Sequence, residues 1–144
     1  MDYLQIIHQK TNNQMVLLWW VASPMMGDRQ TADVLDKYVV LAIVDAHIDP
    51  TGTTTYAVGD LTPQDGSGKP LKRIGEADMP PALTATISGL RAMMQQMLGQ
   101  MGKGLQLIAY EAGDVRPCTK GALSVLYGGE TYTYDTPVPG CPAN

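Results

Sequence analysis

The chain has 144 residues, 44% of them hydrophobic and 17% charged, with 15 glycines, 10 prolines, nine methionines and no phenylalanine. At that length a single globular domain over residues 1–144 buries roughly 68–70% of the surface its unfolded chain exposes, so it needs neither a metal nor several disulfides to hold together. A formal charge of −4 and a pI near 4.9 argue against nucleic acid as a partner, because such binding gathers Lys and Arg to displace phosphate counterions.

Leu4, Ile6 and His8 alternate with Tyr3, Gln5, Ile7 and Gln9, a strand pattern. Gln14 to Ala22 is nearly all apolar and reads as a second strand, with the Asn-rich "KTNN" making the two a hairpin. After "SPMMGDRQ", the stretch "TADVLDKY" predicts a short helix with Thr31 as its N-cap and Asp33 in its first turn. Tyr38 to Ile48 starts as an unbroken apolar run, which predicts a central strand covered on both faces at its start. "DPTG" places Asp49, Pro50 and Gly52 where a type I turn prefers them, so the Thr-rich "TTTYAV" returns antiparallel. Asp60 to Pro70 carries enough Gly, Pro and Asp for a loop or loose hairpin.

The clearest helix runs from about Pro80 to Met101, opened by Asp78 as a cap and closed by Gly102. Leu83, Ile87, Leu90, Met94, Met97 and Met101 recur every three or four residues and form one stripe, with Thr84, Ser88, Arg91 and Gln95 turned away from it. "GLQLIAYEAG" follows as a strand with Leu105, Leu107 and Ala109 on one side. "LSVLY", Gly128-Gly129 and "ETYTY" make a final hairpin. The fold class is therefore α+β: a mainly antiparallel sheet covered on one face by the long helix, plus one short helix. A β-sandwich with an inserted helix is the alternative.

The only two cysteines, Cys118 and Cys141, flank that last hairpin. If Gly128-Gly129 is a two-residue turn, facing residues have numbers that sum to 257, and Cys118 faces position 139. The offset to Cys141 is small enough for irregular strand ends to bring the Cα atoms within the ~4.4–6.8 Å of a disulfide. Closing that loop contributes about 3 kcal/mol in the chain-entropy model. Two free thiols and a functional thiol are the competing readings.

"DAHID" sets Asp45, His47 and Asp49 on one face of a strand end, an acid–base or metal-like cluster in which neighbours two apart stand about 6.6 Å from each other. The alternative is a solvated face where the strand leaves the core. Met93, Met97 and Met101 carry thioethers of the kind that select Cu(I), against core packing. Trp19 and Trp20 are adjacent in a strand and point to opposite faces, one as core and the other as either a binding contact or a residue buried under a loop. Lys69, Lys72 and Arg73, the densest basic group, read as solvated surface. "DGSGKP" departs from the P-loop pattern at two positions and is explained by turn chemistry.

The longest apolar run, Met15 to Ala22, falls short of the ~18 residues of a membrane helix, and "MDYLQIIHQK" lacks the features of a signal peptide. The disulfide nonetheless implies an oxidising compartment. The expected protein is an exported, periplasmic or secreted domain that binds a protein or small-molecule ligand and uses no cofactor, rather than an enzyme. The alternatives are a hydrolase or transferase using His47 with Asp45 or Asp49 and Cys118 as nucleophile, with a cytoplasmic home, or a copper-binding protein.

Overall fold

The least polar stretch of the chain becomes the axis of the fold. The structure, a computed structural model, describes residues 4–8, 14–21, 29–113, 115, 123–127 and 130–133. In chain order the first elements are strands β1 (Leu4–His8) and β2 (Gln14–Val21), helix α1 (Arg29–Leu35) and strand β3 (Tyr38–Ile48). Strand β2 lies antiparallel along one edge of β3, from Gln14 opposite His47 to Val21 opposite Val40, and β1 pairs with the outer side of β2. Two strands share the other edge of β3. Strand β4 (Thr54–Tyr56) takes its end, with Ala46 opposite Tyr56. A later strand, Gln106–Glu111, takes its first half, with Tyr38 opposite Glu111 and Ile43 opposite Gln106.

Between those two lie β5 (Thr62–Asp65) and helix α2 (Pro81–Leu98), so Gln106–Glu111 is β6. Strands β7 (Leu123–Tyr127) and β8 (Glu130–Thr133) follow, and with β5 they form a second sheet in the order β5-β7-β8. Every strand pair among the described residues is antiparallel. Tyr127 pairs with Glu130 and Ser124 with Thr133, the register expected of a two-residue hairpin.

Alternation along β3 explains why both of its faces are apolar. Val40, Ala42 and Val44 pack with Leu83, Ile87, Leu90 and Met94 of α2 and with Leu35 of α1. Val39, Leu41 and Ile43 pack with Leu123, Val125 and Tyr127 of the second sheet. The α+β class holds, and the five-stranded sheet is covered on both faces. The second cover is the small sheet, which the expectation of one sheet and one helical layer lacked. Among the described residues, no helix is long and apolar enough to cross a membrane.

The helices differ from expectation at their ends. Thr31 lies inside α1 instead of capping it. Pro80, not Asp78, is the N-cap residue of α2; Pro81 is its first residue, and Asp78 ends a separate 3-10 turn, Glu76–Asp78. At the other end Gly99 adopts φ 62 and closes the helix, and residues 99–104 form a 3-10 turn. That turn folds back on Gln95: a Cβ on Gly102 would stand 2.8 Å from the Gln95 Cα, and Gln95 Nε2 donates to the Gly102 carbonyl at 3.2 Å. Leu98 lies one turn from Gln95 on the covered side and packs into the core, while Met97 is left exposed.

Two turns share one design. Asp49 accepts hydrogen bonds from the Thr51 N–H and hydroxyl and from the Thr53 N–H, with Gly52 at φ 86. Asp65 does the same with the Ser67 N–H and hydroxyl and the Lys69 N–H, with Gly68 at φ 89. In each, a carboxylate satisfies the turn's donors and glycine supplies the left-handed backbone that side chains disfavour.

Candidate functional site

Strand β3 carries Asp45 and His47 on the face that meets the second sheet. Asp45 is buried, and its Oδ1 lies 3.0 Å from Nε2 of His47, whose side chain is 44% exposed. Its Oδ2 accepts the hydroxyl proton of Tyr127 from β7, and that hydroxyl oxygen accepts the Gly59 N–H at 2.9 Å. Burial first, and the bond to Asp45 second, push the Tyr127 phenol up to about 12. Because the carboxylate can only accept, it fixes the proton of a neutral imidazole on Nε2 and leaves Nδ1 as an acceptor. That is the orientation of a general base. Thr55, opposite His47 across the β3–β4 pair, donates to the His47 carbonyl at 3.5 Å, so its hydroxyl is turned to the backbone.

Asp49 takes no part in this cluster. Its carboxylate closes the β3–β4 turn, and the hydroxyl of Thr51, followed by the Thr53 N–H, holds its pKa below the usual value. Among the described residues, no group of three or more His, Cys, Asp or Glu side chains is placed to hold a metal ion. Met93 and Met97 are exposed one turn apart on α2, and the Met101 side chain lies outside the described part. Trp19 and Trp20 are both buried, Trp19 against the helical layer and Trp20 against the second sheet. Cys118 and Cys141 lie outside the described residues.

A groove opens between α2 and the outer edge of β6. The segment before α2 straps that edge: Ile74 N–H donates to the Ala109 carbonyl at 2.9 Å, Glu111 N–H donates to the Lys72 carbonyl at 2.8 Å, and Arg73 stands opposite Tyr110. Past Ile74 the strap turns away through Gly75 to reach α2. The space left has a volume of about 250 Å³. Its apolar lining comes from Ile74, Met79, Ile87 and Leu107, and its polar lining from Arg73, Thr84, Ser88 and Arg91.

The charge in this groove is unbalanced. Thr84, Ser88 and Arg91 lie on one face of α2, and Arg91 is the only charged residue in that helix. Arg73 faces the side of Tyr110, where its charge partly offsets the burial that raises that phenol. Both arginines are exposed, and neither has an ion pair among the described residues. Sequence reasoning missed the site because Arg73 and Arg91 are eighteen positions apart and each reads as ordinary surface. The available signal was Arg91, a single charge on an otherwise uncharged helix.

No family model, curated protein or solved structure matches the chain.

Proposed function

We propose that the protein is a binding domain whose α2–β6 groove holds a small ligand with an anionic group on an apolar body. The observation that carries this reading is that Arg73 and Arg91, neither with an ion pair among the described residues, both line a cavity with an apolar floor. Arginine binds carboxylate and phosphate through paired N–H donors, and the cavity lies just below the ~300–1,000 Å³ range of drug-sized ligand sites. The test is an NMR titration of the protein with butyrate, benzoate and inorganic phosphate. Shifts at Leu107 to Ala109 and along Thr84 to Arg91, lost in Arg73→Ala and Arg91→Ala, support the reading. Shifts that survive both substitutions, or none near saturation of the solution, end it.

The export expectation fits this reading. The hairpin register supports a Cys118–Cys141 bridge, and with it an oxidising compartment.

A second reading, acid–base chemistry at His47, is favoured by the 3.0 Å contact with buried Asp45. It predicts that diethyl pyrocarbonate acylates His47 faster in the native protein than in Asp45→Asn. Equal rates dispose of it.

A further inference from the structure

The edge of β6 inside the groove has backbone groups to spare. Alternation in an antiparallel ladder turns successive residues to opposite edges. The Ala109 carbonyl and the Glu111 N–H both bond outward, to the strap at Ile74 and Lys72. Gln106, Ile108 and Tyr110 therefore bond inward to β3, and the N–H and carbonyl of Leu107 and the N–H of Ala109 face outward with the strap already gone. Among the described residues, no backbone partner takes them. The same residues line the cavity, with α2 as its opposite wall and Arg73 and Arg91 in its lining.

We infer that the occupant of this groove is an extended peptide segment bearing a carboxylate, which adds to β6 as a short antiparallel strand in line with residues 72–74. This deepens the binding reading above and rests on it. A free-standing anion satisfies the guanidiniums but leaves the donors and acceptor of Leu107 and Ala109 to water. A peptide satisfies both sets: its backbone continues the ladder that Lys72 and Ile74 begin, and its carboxylate meets Arg73 or Arg91. Main-chain bonds to a strand edge supply affinity in such recognition, and side-chain pockets supply selectivity. Ile74, Met79, Ile87 and Leu107 provide an apolar pocket here. Charge complementarity selects the carboxylate, since the groove is locally basic on a chain of net charge −4.

The experiment uses a pool of short peptides of randomised sequence with a free C-terminal carboxylate, the same pool amidated, and acetate. Peptides retained by the protein are sequenced, resynthesised and N-methylated one residue at a time. The expected result is retention from the free-acid pool, slowed hydrogen exchange at the Leu107 and Ala109 amides, and a loss of about tenfold or more on amidation or in Arg91→Ala, the scale of a charge-assisted hydrogen bond. N-methylation should abolish binding at alternate positions only. If acetate shifts the arginine side-chain resonances while no peptide outbinds it and the two amides exchange as before, strand addition is wrong and the anion groove stands. If neither acetate nor any peptide binds, both readings fall.

Discussion

Tyr127 of the small sheet donates its hydroxyl proton to Asp45 of β3, and the same hydroxyl accepts the Gly59 N–H at 2.9 Å. One phenol thus ties the second sheet to the point where β3 passes from β6 to β4 along its edge, and to the chain between β4 and β5. Replacing it with phenylalanine keeps the ring and removes one hydrogen bond each from the buried Asp45 carboxylate and the Gly59 amide. Tyr127→Phe is expected to cost about 1–3 kcal/mol in urea unfolding. A change within error would mean that water replaces the hydroxyl and the staple has little weight.

The same phenol sets an alkaline limit. Its folded value is raised to about 12 from the ordinary phenol value near 10, because burial and the Asp45 carboxylate both oppose a phenolate. A raised value means that its contribution is whole below about pH 10 and is lost as pH rises through about 12. Ultraviolet titration of the native protein should show a late phenolate transition, besides that of buried Tyr110, that is missing from Tyr127→Phe. Stability measured from pH 9 upward should fall more in wild type than in the variant.

Asp49 and Asp65 behave oppositely. The Thr51 hydroxyl and the Ser67 hydroxyl respectively are the main causes holding the two carboxyls below their usual value of 3.8. Their contribution is present above that value and disappears as pH falls through the lower, folded one. Asp49→Ala and Asp65→Ala should each lower Tm slightly at neutral pH and match wild type in strong acid. Gly52→Ala and Gly68→Ala, which force a side chain into the left-handed region, should cost roughly 1–2 kcal/mol each at every pH.

Much of the fold was legible because local signals agreed with the global answer. The limits of β3, Tyr38 and Ile48, follow from its apolar run, and the turn at Asp49 from residue preference alone. What escaped depended on contacts between distant segments. Met97 and Leu98 are both acceptable neighbours of the Leu83–Met94 stripe, and in the fold it is Leu98 that packs against the helical core while Met97 is exposed. Asp45 and His47 were readable as a pair from their spacing, whereas Tyr127 reaches them from 82 positions away. Arg91 was readable as a lone charge on its helix, but its meeting with Arg73 was not, since the strap that carries Arg73 neighbours β6 only in space.

Gly104 tests the fold-back of the 3-10 turn after α2. A Cβ there would lie 2.1 Å from Cδ1 of the Tyr56 ring and 2.7 Å from its Cβ, too close for a ring that is itself packed against the helical core. Gly104→Ala should destabilise the protein by about 1–3 kcal/mol, as overpacking does. In a Tyr56→Ala background the same substitution should cost much less, because the clashing ring is gone. Additive losses in the double variant would place the penalty in the backbone of the 3-10 turn instead.

The observed pairing of Tyr127 with Glu130 and of Ser124 with Thr133 gives the cysteine expectation a fixed starting point. If that register continues beyond the described residues, Cys118 faces position 139, within two residues of Cys141. A bridge here would join the two ends of the hairpin that carries Tyr127, and so support the Asp45 staple by restricting the unfolded chain. Alkylation under denaturing conditions, followed by intact mass, should add two tags only after reduction, with Tm falling when reductant is present. Two tags without reduction would mean free thiols: the reason for export then disappears, and the distance from Cys118 to His47 becomes the quantity to measure.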